Sequence, residues 1–176
     1  SGMLNLVRQN RWQGIKRQGG TTLMEVLVSL LVLSAGMLGM AGLQTVSLRN
    51  NQSAYFRTQA TALSLDMVER LRANISGVEA GNYNNVAGGA TASCFTVAGC
   101  NGAQMAGQDI LDWEAQVAAA LPGGQAVVCL DSTGNDGTPG SENCDSLGSV
   151  YAIKIWWDDN RDGTANQRYV TTAQPW

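Results

Sequence analysis

Gln18-Gly19-Gly20-Thr21-Thr22-Leu23-Met24-Glu25 is followed by Val26 to Leu48 without a single charge. Ahead of it stand Arg8, Arg11, Lys16 and Arg17, with no acidic residue among them. The order is basic leader, glycine, four uncharged residues, one glutamate, then an apolar run of membrane length. An ordinary secretory signal places a basic segment, an apolar segment and then a small-residue cleavage site. Here the plausible cut, Gly20|Thr21, precedes the apolar run. Cleavage there removes the basic leader and keeps the apolar helix on the mature chain. Ser1-Gly2 ahead of Met3 reads as an expression scar, with Met3 the expected start.

At about 1.5 Å rise per residue, Val26 to Leu48 spans roughly the 30 Å of a hydrocarbon core. A soluble core helix is striped, whereas this run is apolar on every side, which suits lipid. The remaining alternative is a plain single-pass anchor. Gly36, Gly39 and Gly42 recur at a spacing of three. Small residues on one face let helices approach closely. From Gly77 onward, eleven acidic residues face three basic ones, a net charge near −8. That distal part repels phosphate backbones, which argues against nucleic-acid binding. A basic leader inside and an uncharged run across the bilayer predict an N-in, C-out orientation by the positive-inside bias.

Beyond the run, Phe56, Ala60, Leu63, Met67, Leu71 and Ile75 form an apolar stripe at helical spacing, with no Pro or Gly between Arg49 and Ile75. The pattern predicts one helix from about Thr21 to about Ile75, with Gly77 as its stop signal. A helix of that kind needs a globular head packed on its stripe. No element is expected over Gly77–Gln108. A short helix is expected over Asp109–Leu121, then strands over Gln125–Leu130, Ser149–Trp157 and Gln167–Thr172. The fold class is α+β, a long N-terminal helix on an antiparallel sheet. The expected divisions are scar plus leader 1–20, membrane half of the helix 21–48, amphipathic half 49–75 and head 76–176.

Four cysteines lie beyond the anchor: Cys94, Cys100, Cys129 and Cys144. In an exported head an even number reads as two disulfides. Three pairings are open; Cys94–Cys100 with Cys129–Cys144 is favoured because each closes a local Gly/Asn/Ser-rich loop. Zinc is disfavoured, since the chain has no histidine and no CxxC pair.

The basic leader, Gly20, the new N-terminus Thr21 and Glu25 at the fifth mature position resemble the class III signal peptide of the type IV pilin superfamily. The family usually places Phe or another apolar residue where this chain has Thr21. Gly36 to Gln44 and Ala62 to Asn74 are similar to the helix of PilV-type minor pilins. The Trp113–Gly123 segment and the cysteine loops of the head are similar too. The resemblance implies cleavage and N-methylation at Thr21 by a prepilin peptidase. It implies that Glu25 meets the N-terminal amine of a neighbouring subunit. A carboxylate beside an apolar span is costly and by default marks a function, although a glutamate near the cytoplasmic leaflet could simply be solvated. The implied partners are other minor and major pilins, the inner-membrane assembly platform and a tip adhesin. The implied location is the inner membrane, single-pass with a periplasmic head, and then a cell-surface pilus. A minor pseudopilin of a type II secretion system shares the same N-terminus and fold.

Asp158-Asp159-Asn160-Arg161-Asp162-Gly163 opens like a calcium loop, with Asp158, Asn160 and Asp162 as ligand candidates. The closing Glu is missing, and Tyr169 stands in its place. Asp, Asn and Gly are also the ordinary residues of a turn between strands. A third reading is therefore a bitopic envelope protein with an acidic, calcium-binding head. Trp156-Trp157 with Trp113 and Trp176 could form an adhesive surface, or serve as core. No nucleophile motif and no phosphate-binding glycine loop is present, so no catalysis and no cofactor is expected.

Overall fold

The computed structural model describes residues 22–174. The leader, the Gly20|Thr21 cut and Trp176 lie outside the described residues. Two compact units divide the chain, Ser1–Val46 and Ser47–Trp176.

Helix α1 runs Leu23–Ala73. In the first unit its side chains are exposed throughout. The helix is long and apolar enough to cross a membrane. Apolar side chains lie on every side of this run, and the few hydroxyls of Ser29, Ser34 and Thr45 bond back to helix carbonyls, so no face is set aside for a protein core.

In the second unit α1 buries Phe56, Ala60, Leu63, Met67 and Leu71, the predicted stripe, together with Ser64 and Val68. Ile75 is not part of it. The helix stops at Ala73 because Asn74 leaves helical geometry, at φ −121° and ψ 58°. Asn74 then caps a short second helix, α2 (Ile75–Glu79), its Oδ1 accepting from Gly77 N at 3.1 Å. Gly77 therefore does not end the long helix. It lies inside α2, where an added Cβ would sit 2.5 Å from Asn74 Nδ2 and 2.8 Å from Gly102 O. The glycine is there for close approach.

A 3₁₀ turn, Ala92–Phe95, and helix α3 (Gly102–Ala120) follow. Helix α3 begins seven residues before the expected Asp109. Its start is a capping box: Asn101 Oδ1 accepts from Gln104 N at 2.9 Å, and Gln104 Oε1 accepts from Asn101 N at 3.0 Å. Ala106, Ile110, Trp113 and Val117 are its buried apolar face.

Strands β1 (Gln125–Leu130), β2 (Tyr151–Trp157) and β3 (Gln167–Ala173) form an antiparallel sheet in that order. In register, Val128 faces Ile153 and Cys129 faces Ala152, while Ile155 faces Tyr169. Tyr151, Ile153, Ile155 and Trp157 join the core with the stripes of α1 and α3. Both faces of β2 are covered, all seven of its residues being buried. The 131–146 loop folds over the face that carries Ala152 and Lys154. An added Cβ on Gly134 would lie 3.3 Å from both Ala152 Cβ and Thr172 Cγ2. The result is an α+β layout of a long N-terminal helix followed by a three-stranded antiparallel sheet.

Candidate functional site: the anchor terminus and the clamps of the head

Glu25 lies in the first turn of α1, exposed. Its amide donates to Thr22 O at 2.9 Å and its carbonyl accepts from Ser29 Oγ at 2.7 Å, so the backbone here is already helical. A carboxylate in the first turn suits the positive end of the helix dipole. Gly36, Gly39 and Gly42 have nothing within 4 Å of an added Cβ, leaving their face open.

In the head, Cys94 pairs with Cys100 and Cys129 with Cys144. The first bridge ties the 3₁₀ turn to the cap of α3. The second ties β1 to the 131–146 loop, and it sits beside the buried Asp131.

That loop also carries a feature with no sequence signal of its own. Lys154, in the middle of β2, is fully buried. Its Nζ lies 2.5 Å from Asp131 Oδ2 as an ion pair. It donates to Asp136 Oδ1 at 2.9 Å and to Glu142 O at 2.8 Å. The Asp131 side chain is fully buried and that of Asp136 partly exposed. The hydrogen bond from Lys154 holds the Asp136 carboxyl below its ordinary range. Asp145 is lowered too, first by the hydroxyl of Ser132 and then by the Leu147 amide. A lysine alternating with apolar residues reads as solvent-facing; the partner carboxylates arrive from a loop of irregular length, which periodicity does not describe.

A second polar cluster joins α1, α2 and α3. Arg70 bridges Asp66 at 2.8 Å and Asp109 at 3.2 Å. Tyr83 Oη donates to Asp109 Oδ2 at 2.5 Å and accepts from Asn74 Nδ2 at 3.0 Å. Burial first, and the bond to Asp109 second, push the Tyr83 phenol well above its ordinary value.

The calcium-like loop brings Asp158, Asn160 and Asp162 together, and its own backbone occupies them. Asp158 accepts from the amides of Asp162 and Gly163 at 3.2 and 2.7 Å. Asp162 accepts from Thr164 N and from Asn160 Nδ2, both at 2.8 Å. This is the bonding of a turn built from Asx residues. Trp113, Trp156 and Trp157 are all buried, so they form core and no adhesive patch.

A family model described as Tt1218-like, type IV pilin Tt1218, matches residues 42–111. This match supports a type IV pilin. It takes in the second half of α1, the Asn74 cap, α2, the first cysteine bridge and the opening of α3. No curated protein and no solved structure matches the chain significantly. The membrane-length helix is compatible with membrane anchoring.

Proposed function

We propose that this pilin is a minor pilin that primes type IV pilus assembly at or near the tip. The observation that carries the reading is Glu25 standing in the first turn of a helix whose next 23 residues, Val26 to Leu48, are uncharged. The prepilin peptidase cuts Gly20|Thr21 and methylates the new amine, and residues 1–20 are discarded. Residues 21–48 then hold the chain in the inner membrane with the head, residues 76–176, in the periplasm. Glu25 docks against the amine of a neighbouring pilin as the subunit leaves the membrane through the assembly platform. The open face at Gly36, Gly39 and Gly42 lets neighbouring helices approach closely. Cys94–Cys100 and Cys129–Cys144 suit an oxidising compartment.

The test is the N-terminal sequence and intact mass of the native chain recovered from sheared surface filaments. A chain beginning at methylated Thr21 is the expected result. A chain that keeps its leader and stays in the membrane fraction overturns the reading. One that is processed but absent from pili points to a pseudopilin.

A further inference from the structure

Arg49, Gln52, Asp159, Asn160 and Arg161 line a cleft of about 280 Å³ between α1 and the β2–β3 loop. That is at or below the small end of ligand pockets, about 300 Å³, so it suits a compact charged group. Neither Arg49 nor Arg161 makes an ion pair among the described residues. Two free guanidinium groups at one cleft are a donor set for a phosphate. Opposite in sign, Asp159 Oδ1 is buried there with no hydrogen-bond partner. A buried carboxylate oxygen without a donor is costly, and a donor from a ligand relieves it. The neighbouring carboxylates of Asp158 and Asp162 are already taken by loop amides and Asn160.

We infer that this cleft binds a phospholipid headgroup carrying both a phosphodiester and a primary ammonium. The phosphate lies between Arg49 and Arg161, and the ammonium donates to Asp159. Arg49 is the first charge after the uncharged run ending at Leu48. In a membrane-spanning chain that position is the headgroup layer of the outer leaflet. The inference therefore rests on the anchored reading above. A quaternary choline headgroup offers the same phosphate but no N–H to Asp159, so the site discriminates between the two.

The test uses the full chain in vesicles of phosphatidylethanolamine and phosphatidylglycerol, and in vesicles where phosphatidylcholine replaces the ethanolamine lipid. Flotation comes first, followed by release and native mass spectrometry of the lipid retained. The expected result is at least fivefold more ethanolamine lipid than choline lipid retained. Arg49→Gln/Arg161→Asn should lose retention of both lipids. Asp159→Asn should keep the phosphate contact and lose the preference. Asn is chosen at 161 because Arg161 sits at φ 59°, which Asn tolerates. Circular dichroism confirms that each variant is folded.

Equal retention by the parent and the folded double variant overturns the inference while leaving the anchor intact. Displacement of the lipid by millimolar inorganic phosphate assigns the cleft to a free anion and overturns the lipid source. Unchanged retention with lost incorporation into pili assigns it to a neighbouring subunit and overturns it likewise. Failure of the parent chain to float with vesicles removes the anchored reading itself, and the inference with it.

Discussion

Trp113 Nε1 donates to the main-chain oxygen of Leu63 at 2.8 Å, inside the buried seam where α3 meets α1. One indole thus fills the seam and fixes how α3 slides along α1. Trp113→Phe keeps an aromatic ring but loses this bond and leaves unfilled volume. It should cost about 1–3 kcal/mol. Urea unfolding of the full chain in detergent, with disulfides intact, should show a lower midpoint at unchanged slope. An unchanged midpoint would mean that the bond contributes nothing beyond its solvated alternative.

What was legible beforehand followed regular periods. The stripe from Phe56 to Leu71 has period 3.6 and Tyr151 to Trp157 has period 2, and both elements formed where the pattern put them. The misses lie where local chemistry overrides period. Gly77 is a helix-stop residue by habit, yet the stop is Asn74 and the glycine serves a tight contact with Gly102. The start of α3 was readable in Asn101-x-x-Gln104, a capping-box pattern hidden in a stretch poor in apolar residues. The Lys154 clamp was not readable, because its carboxylates come from distant loop positions. Glu25 stands out for a different reason: it is the one charge between Arg17 and Arg49, and its role belongs to the proposal above.

Lys154 and Asp131 should be far more sensitive singly than together. Lys154→Met leaves the fully buried Asp131 carboxylate without its partner, which typically costs about 3–5 kcal/mol. Lys154→Met with Asp131→Leu should recover much of that loss, since an apolar pair of similar volume has no charge to desolvate. The same clamp sets an acid limb. Asp136 has a lowered folded pKa, so its contribution is present above the ordinary carboxylate value and is lost as pH falls through the folded value. Stability should therefore decline below about pH 4. In Lys154→Met that limb should be shallower. Thermal melts across pH 2–6 would show it, and identical limbs would remove Lys154 as the cause.

At the alkaline end the sensitive group is Tyr83. Its folded pKa is raised by burial and by Asp109, so its contribution is whole below the unfolded value of about 10 and is lost as pH rises through the folded one. Ultraviolet titration at pH 11 should show this phenol still protonated in the folded chain, with ionisation appearing on unfolding. Tyr83→Phe should remove that late step and soften the base limb of the melting curve. A Tyr83 that ionises near pH 10 without unfolding would show that the Asp109 contact is open to water.

Of the two bridges, Cys129–Cys144 should matter more. It joins residues 15 apart against 6 for Cys94–Cys100. In the chain-entropy account those closures are worth about 3 and about 2 kcal/mol. Cys129→Ser/Cys144→Ser also frees the loop that carries Asp131 and Asp136 away from Lys154, adding to the loss. Denaturant midpoints of the two double variants give the comparison. The reverse order would indicate that the 131–146 loop is held by the ion cluster alone.

Glu25 separates assembly from folding. It is exposed on the described chain and lies in a different compact unit from the head, so Glu25→Ala should leave the head's unfolding midpoint where it was. Within a bundle of apolar helices, however, the amine it is proposed to meet would be left without its countercharge, a penalty on the order of 3–5 kcal/mol. Since about 1.4 kcal/mol is tenfold in an equilibrium, incorporation into filaments should fall by roughly a hundredfold or more. Glu25→Asp keeps the charge and shortens the reach, and should restore part of the incorporation. The readout is the amount of this chain in sheared pili relative to the membrane fraction. Normal incorporation of Glu25→Ala, with its leader correctly removed, would leave the glutamate as a solvated residue at the membrane surface and place register control elsewhere along the helix.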